Sequence, residues 1–198
     1  MLETKIPFEI HLTIGNLLGD KEREFIDFCH QNGGKPLIIE LSKGAYTHQP
    51  MFTKVIFSND FASVLENSKR LFMELMANHF TPKRLKIEVP DVHGALFELV
   101  NTSFDKYYEW HGKVEYLQPE KLEALCKEHK AHLSLNSLKG ESNTRFITLR
   151  EFGNRQTFVN KVLKLTQILS GEWTIFKQQS EYCIYDDNIL LDKGWLPQ

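Results

Sequence analysis

Two copies of one short pattern occur in this chain, and they constrain its fold more than any other feature of the sequence. Residues 8–11 read Phe-Glu-Ile-His, and residues 108–111 read Tyr-Glu-Trp-His. After each copy come an amphipathic segment that ends in a cysteine, an apolar stretch closed by Lys-Gly, and a long helical pattern. Self-similar segments in one chain predict similar folding units. We therefore expect two halves with the same order of elements.

Apolar periodicity predicts the order β-α-β-β-α-β in each half. Residues 8–14 alternate apolar and polar side chains, as in a half-buried strand, and residues 61–76 carry the apolar stripe of a helix that covers a sheet. This order resembles the ferredoxin-like split βαβ unit, which implies an α+β fold of antiparallel sheets with helices on one face. We predict a first ferredoxin-like repeat over residues 1–89, a linker over 90–106, a second repeat over 107–186 and a docked C-terminal tail over 187–198.

Composition excludes several classes of partner. The chain has 198 residues with a net charge of −2, and no run of like charges favours duplex nucleic acid. No apolar run approaches the length of about eighteen residues that a membrane span needs, and the N-terminus lacks a signal core. Cys29, Cys126 and Cys183 form an odd set without CxxC spacing, which indicates buried thiols in a reducing compartment. We expect a cytoplasmic protein without a membrane partner.

Strand alternation suggests a metal site. If helices cover one face of each sheet, Glu9 and His11 share the opposite face, and Glu109 and His111 share the matching face of the second half. A pseudo-twofold axis would bring these four side chains into one polar cleft. Imidazoles and carboxylates together suit zinc, iron or manganese better than calcium. The arrangement resembles in outline the vicinal-oxygen-chelate enzymes, whose paired modules contribute His and Glu ligands.

The same open faces carry residues suited to a small polar or anionic ligand. Cations beside hydroxyl and amide groups can form an anion pocket. The predicted ligand-binding residues are Thr13, Lys54, Ser134, Asn136, Thr148 and Arg150. The competing interpretation is that Lys54 and Arg150 lie on a solvated strand face or form cross-strand ion pairs.

A second chemistry rests on two short patterns that contain histidine. Residues 11–14 read His-Leu-Thr-Ile, and residues 132–135 read His-Leu-Ser-Leu. They resemble the paired His-x-Thr/Ser-x signature of the 2H phosphoesterases, which implies His11 and His132 as general base and acid on a phosphodiester, with Thr13 and Ser134 holding the phosphate. With His111, the repeat counterpart of His11, these histidines are the predicted catalytic residues.

Three functions follow from these patterns. The leading hypothesis is the binding or processing of a small polar or anionic molecule in a cleft between the halves, with a divalent metal as a candidate cofactor. The first alternative is a 2H-like phosphodiesterase. The second is a non-catalytic protein whose open sheet faces or edge strands bind another chain. The sequence leaves open which of these applies and what the oligomeric state is.

Overall fold

The computed structural model describes residues 5–100, 104–140 and 142–196, and these residues form eight strands and four α-helices. The first half contains β1 (Ile6–Ile14), α1 (Lys21–Gln31), β2 (Lys35–Leu41), β3 (His48–Ser58), α2 (Phe61–Ala77) and β4 (Pro82–Pro90). The second contains β5 (Tyr107–Glu115), α3 (Pro119–Glu128), β6 (Ala131–Asn136), β7 (Thr144–Glu151), α4 (Arg155–Glu172) and β8 (Ile175–Asp186). The order predicted from the sequence is the order observed.

Short 3₁₀ helices lie in the connecting segments. They span Asp91–Phe97, Ser137–Lys139 and Ile189–Asp192. The first lies within the predicted linker and the last within the predicted tail. Each predicted segment includes a few residues that lie outside the described ones. These are 1–4 in the first repeat, 101–103 in the linker, 141 in the second repeat and 197–198 in the tail.

All eight of these strands join one closed antiparallel barrel in the order β1-β3-β2-β6-β7-β5-β8-β4. In the first half, β1 pairs with β3 and β4, and β2 pairs with β3. The second half repeats these pairings, since β5 pairs with β7 and β8, and β6 pairs with β7. The fold is therefore α+β with antiparallel pairing, as predicted.

The two halves meet through their edge strands. The sequence suggests two sheets that stack their open faces, but β2 pairs with β6 and β4 pairs with β8. Stacked sheets would leave edge strands with unpaired backbone groups, and closure into a barrel removes those edges. As a consequence, the polar faces of both sheets become the inside of one barrel.

The hydrophobic core lies between the helices and the outer surface of the barrel. Phe8, Ile10 and Leu12 of β1 are fully buried there. Alternation along the strand places Glu9 and His11 on the inner side. The parity predicted for β1 is thus the parity observed.

Helix α2 shows how the sequence directs this packing. Its first turn is capped by Asp60, whose side chain accepts a hydrogen bond from Ala62 N, which satisfies a backbone donor at the helix start. Val64 and Leu75 are buried in the core, whereas Met76, from the same apolar pattern, is 51% exposed. No helix in the described part of the chain is long and apolar enough to cross a membrane.

The two ends of the barrel differ. Neighbouring strands are antiparallel, so one end collects the starts of β2 and β8 and the ends of β5 and β6. The interior at this end is lined by Lys35, Lys113 and Lys177 of these strands and by Lys139 of the 3₁₀ helix that follows β6. The segment 189–196 packs on the opposite end. There Trp195 and Leu196 pack against Leu41, and Trp195 Nε1 donates a hydrogen bond to the carbonyl of Leu133.

Truncation of Leu75 should destabilise the protein because this side chain is fully buried in the core. We expect Leu75→Ala to lower the free energy of unfolding by roughly 2–5 kcal/mol, measured by urea denaturation. Met76→Ala is the matched control on the exposed side of the same helix and should have a much smaller effect. Equal losses for the two variants would contradict this packing.

Candidate functional site

A cavity of about 330 Å³ occupies the inside of the barrel. Eight-stranded barrels are either filled by their own side chains or hold one small ligand. Most charged residues lie on the adjacent strands β5, β8, β4 and β1, while the apolar ones lie across the cavity on β2, β3 and β7. The apolar residues are Leu37, Ile39, Met51 and Phe146, joined by Trp195 and Leu196 from segment 189–196. The cavity therefore has one charged wall and one mixed wall. In the mixed wall the apolar residues lie among polar ones, namely Lys35, Gln49, Thr53, Ser134, Asn136, Thr148 and Arg150.

Two histidines have matching positions in the charged wall. His11 on β1 lies opposite Thr53 of β3, and His111 on β5 lies opposite Thr148 of β7. The distance from the histidine Nδ1 to the threonine Oγ1 is 3.0 Å in both cases. A hydrogen bond at one ring nitrogen fixes the orientation of an imidazole and leaves the other nitrogen for chemistry. In both halves that other nitrogen, Nε2, lies near carboxylates.

Glutamates form two cross-strand pairs beside the histidines. Glu9 lies opposite Glu88, and Glu109 lies opposite Glu181. His11 Nε2 is 3.1 Å from Glu88 Oε2 and 3.9 Å from Glu9 Oε1. His111 Nε2 is 3.4 Å from Glu109 Oε2 and 3.6 Å from Glu181 Oε2. Like charges directly opposite each other destabilise a sheet, so each pair requires neighbouring positive charge or a proton.

Lys86 supplies positive charge between the two halves. Its Nζ atom lies 2.7 Å from Glu109 Oε2 and 2.9 Å from Glu88 Oε1. Lys86 and both glutamates are buried. One ammonium group thus bridges a carboxylate of β4 and a carboxylate of β5.

Asp192 extends the ion-pair network to segment 189–196. Arg84 Nη1 donates to Asp192 Oδ2 at 3.0 Å, and Arg150 Nη2 donates to the same oxygen at 2.6 Å. Arg84 also bonds Asp186, and Tyr107 donates its hydroxyl to Asp186 Oδ2 at 2.6 Å. Since all five side chains are buried, this network closes the end of the barrel opposite the lysines.

The two carboxyl groups of the second glutamate pair have opposite pKa shifts. Burial favours a higher pKa at Glu109, but the charges of Lys86 and Arg150 outweigh it and hold the pKa well below 4.5. At Glu181, burial and the neighbouring Glu88 carboxylate raise the pKa well above 4.5. The pair therefore retains one proton at pH values where an ordinary glutamate has lost it.

Two polar groups in the cavity wall lack normal hydrogen bonds. The Thr13 hydroxyl is buried without a partner among the described residues, and neither carboxylate oxygen of Glu88 accepts a hydrogen bond of normal geometry. The nearest polar atoms to these oxygens are Lys86 Nζ at 2.9 Å and His11 Nε2 at 3.1 Å. Buried polar groups without partners are rare in folded proteins and often mark the place of a ligand, ion or water.

The barrel brings together most of the site residues that the sequence predicts. The residues that line the cavity include Glu9, His11, Thr13, Glu109, His111, Ser134, Asn136, Thr148 and Arg150. Glu9, His11, Glu109 and His111 thus share one cavity. Arg150 does bond Glu109, with 2.8 Å from Nε to Oε1, so the ion-pair interpretation of Arg150 describes its geometry.

Lys54 does not belong to this group, and its predicted position is wrong. It lies opposite Ile10 on the neighbouring strand, and residues opposite each other in an antiparallel pair point to the same side. Lys54 therefore faces the helices, where its Nζ donates to the carbonyl of Asn32 at 2.8 Å. Thr53 takes the inward position on β3.

His132 lies opposite the inward-facing Thr148 of β7, and Thr148 contacts His111. His132 is absent from the described residues that line the cavity, and its ring centroid lies 6.1 Å from that of Trp195. Burial, together with the charges of Lys43 and Arg150, lowers the pKa of His132 to about 4. A histidine that is neutral at physiological pH lacks the proton that a general acid must donate.

Several inward residues are not among the site residues predicted from the sequence, although the alternation along their strands indicates an inward position. Leu85, Ile87 and Val89 alternate with Arg84, Lys86 and Glu88 along β4, so the strand that buries the first set outside must place the second set inside. Glu181 follows from β8 in the same way. Asp192 had no such signal because it lies in a 3₁₀ helix rather than a strand.

One group of residues has the spacing of a metal site. A ligand atom from each of Glu88, Glu109 and His111 lies within 4.8 Å of the other two. Two of these residues belong to the set predicted from the sequence, and Glu88 is new. The Lys86 ammonium already contacts both carboxylates, so an ion at this position would have to replace it.

Comparisons with known proteins give weak similarity only. No protein-family model matches the chain, and no curated protein matches it. Among solved structures, the small subunit of acetolactate synthase from Thermotoga maritima is 11% identical, with 91% of this chain and 95% of that chain covered and a TM-score of 0.32. A mutant chlorite dismutase from Candidatus Nitrospira defluvii is 17% identical, with 92% and 93% covered and a TM-score of 0.30. None of these similarities assigns a function to the chain.

Replacement of Asp192 should weaken the closed end of the barrel. Asp192→Asn removes the charge that Arg84 and Arg150 share, and loss of one partner of a buried ion pair costs roughly 3–5 kcal/mol. We expect a lower midpoint of urea denaturation. Asp27→Asn, on the exposed surface of α1, should leave the midpoint nearly unchanged, and a similar result for Asp192→Asn would show that the network contributes little.

The raised pKa of Glu181 has a defined effect on stability. In the unfolded chain this carboxyl ionises near pH 4.5, whereas in the barrel it resists ionisation because of burial and its carboxylate neighbours. Ionisation of Glu181 therefore lowers the free energy of unfolding. This loss is absent below pH 4.5 and grows as the pH rises above it. We expect Glu181→Gln to raise the melting temperature relative to wild type more at pH 8 than at pH 5.

The control for this experiment is Glu128→Gln, on the exposed end of α3. It should give the same difference from wild type at both pH values. The charged or titratable neighbours of Glu181 include Glu9, Lys86, Glu88, Glu109 and His111. A stability difference for Glu181→Gln that does not depend on pH would contradict the raised pKa.

Proposed function

We propose that the barrel binds one small organic anion, with its charged group near the lysine-lined end and its apolar part against the apolar residues of the mixed wall, which are Leu37, Ile39, Met51 and Phe146. The observation that carries this proposal is a cavity with two unlike walls that extends to solvent-exposed lysines. Its volume of about 330 Å³ falls within the range of small-molecule sites. A barrel built for stability alone would fill this space with its own side chains.

The lysine-lined end supports the choice of an anion. Lys35, Lys139 and Lys177 are exposed and also line the cavity, with Lys113 beside them. Several positive charges around one opening attract an anion and lower the cost of its entry. The interior carboxylates are compensated in part by Lys86 and two arginines, so the positive end is the favourable place for a negative group.

Polar groups deeper in the cavity support a ligand that can form hydrogen bonds. The unpartnered hydroxyl of Thr13 requires a donor or acceptor that the surrounding side chains do not supply. Ser134, Asn136 and Thr148 line the cavity as well. His11 and His111 could exchange protons with a bound molecule, since each has one ring nitrogen held by a threonine and the other near carboxylates.

We also infer that the two halves are repeats of one ancestral unit. The shared strand order supports this, and so do the matched His–Thr contacts at 3.0 Å. Duplication explains why His11 and His111 have equivalent surroundings. Later divergence explains why only one half has a lysine at the inward position of Lys86, where the other half has Gln179.

Binding can be tested with three probe anions, namely benzoate, phenyl phosphate and isovalerate. At least one should raise the melting temperature, because a ligand at about ten times its dissociation constant stabilises the folded state by roughly 1.4 kcal/mol. Benzamide, the neutral counterpart of benzoate, should have a smaller effect. Lys177→Gln and Lys35→Gln should weaken anion binding.

A second pair of variants locates the bound anion. Met51→Trp places a large side chain in the cavity and should abolish binding, whereas Met73→Trp changes a methionine that is 61% exposed on α2 and should not. Far-UV circular dichroism checks that both variants fold. Failure of all three anions to bind, or binding that survives Met51→Trp in a folded protein, would refute the proposal.

A further inference from the structure

We infer that the charged wall of the cavity binds one divalent transition-metal ion through Glu88, Glu109 and His111, with the Lys86 ammonium displaced. This inference deepens the proposed function, since it names a cofactor for the same cavity. It also differs from the metal site that the sequence predicts, because Glu88 of β4 replaces residues of β1.

The spacing of the three residues fits a single ion. Their ligand atoms lie within 4.8 Å of one another. Atoms that bind a metal at about 2.1 Å are separated by roughly 3 to 4.2 Å from each other, so only small side-chain movements are needed. The three ligands come from β4 and β5, and β8 lies between these strands in the barrel.

His111 is oriented as a metal ligand. Its Nδ1 atom contacts the Thr148 hydroxyl at 3.0 Å, and its Nε2 atom lies 3.4 Å from Glu109. Metal-binding histidines commonly bond a protein group through the nitrogen that does not bind the metal. One imidazole with two carboxylates favours zinc, iron or manganese over calcium.

Glu88 supplies an independent observation that points to a ligand. Its side chain is 0% exposed, yet neither carboxylate oxygen accepts a hydrogen bond of normal geometry. An ionised carboxylate without such bonds is costly in a protein interior. An ion bound to Glu88 would take the place of the Lys86 ammonium, which lies 2.9 Å from Oε1.

The charge balance of the interior also favours a cation. Because Glu181 retains its proton, the buried acids of the described chain that carry a charge are Glu88, Glu109, Asp186 and Asp192, and the buried bases are Arg84, Lys86 and Arg150. Acidic groups therefore outnumber basic ones. A divalent ion replaces the single charge of Lys86 with two charges, and the long lysine side chain can turn toward the cavity when it leaves.

The test is a titration of chelator-treated protein with Zn²⁺ alone, followed by calorimetry. We expect one ion per chain. His111→Ala should weaken binding by about 100-fold, and the exposed His30→Ala should leave it unchanged. Lys86→Met should strengthen binding by about tenfold, because the competing ammonium is gone. Ca²⁺ should bind far more weakly than Zn²⁺.

A second measurement covers the case in which His111→Ala does not fold. In a histidine-selective nitrogen NMR spectrum of wild-type protein, Zn²⁺ should shift the Nε2 resonance of one imidazole. That resonance should be absent from the spectrum of His111→Gln, which would assign it to His111. The inference would be overturned if wild-type protein did not bind zinc. It would also be overturned if His111→Ala bound zinc as tightly as wild type, or if wild type bound Ca²⁺ as tightly as Zn²⁺.

The two proposals fail separately. The zinc titration contains no organic anion, and the anion experiment contains a chelator. Zinc binding without anion binding would refute the proposed function and leave the metal site standing. Anion binding without zinc binding would refute the metal site alone.

Discussion

Buried ion pairs between distant strands are the interaction on which this barrel depends. Closure through β2–β6 and β4–β8 turns two polar sheet faces inward, and charges in that position are costly unless they are paired. Lys86 joins β4 to Glu109 of β5, and Asp192 joins Arg84 to Arg150. The same contacts that compensate the charges therefore hold the two halves and segment 189–196 together.

The cavity follows from this arrangement. Arginine and aspartate side chains close one end, and the apolar residues Trp195 and Leu196 pack there as well. The other end has lysines that reach solvent. Between them, charged residues collect on one wall because β1, β4, β5 and β8 are neighbours in the barrel. The order of the strands in the barrel thus determines which charged side chains lie next to one another in the interior.

Most of the fold was predictable from the sequence, because alternation and helical periodicity act over short distances. The element order and the inward positions of His11 and His111 follow from local patterns. The closed barrel did not follow, since pairing between β2 and β6 depends on residues far apart in the chain. The error at Lys54 came from the parity of a strand whose register was unknown, and Asp192 lies outside any periodic element.

The spacing of the ion-pair partners along the chain also determines when the barrel can close during synthesis. Arg84 precedes Asp186 by 102 positions and Asp192 by 108. At typical translation rates the arginine waits roughly 5 to 20 s for these partners. During that interval β4 has an unpaired edge and uncompensated charges that favour contact with water. The closed interior therefore cannot be completed until β6 and β8 of the second half have been made.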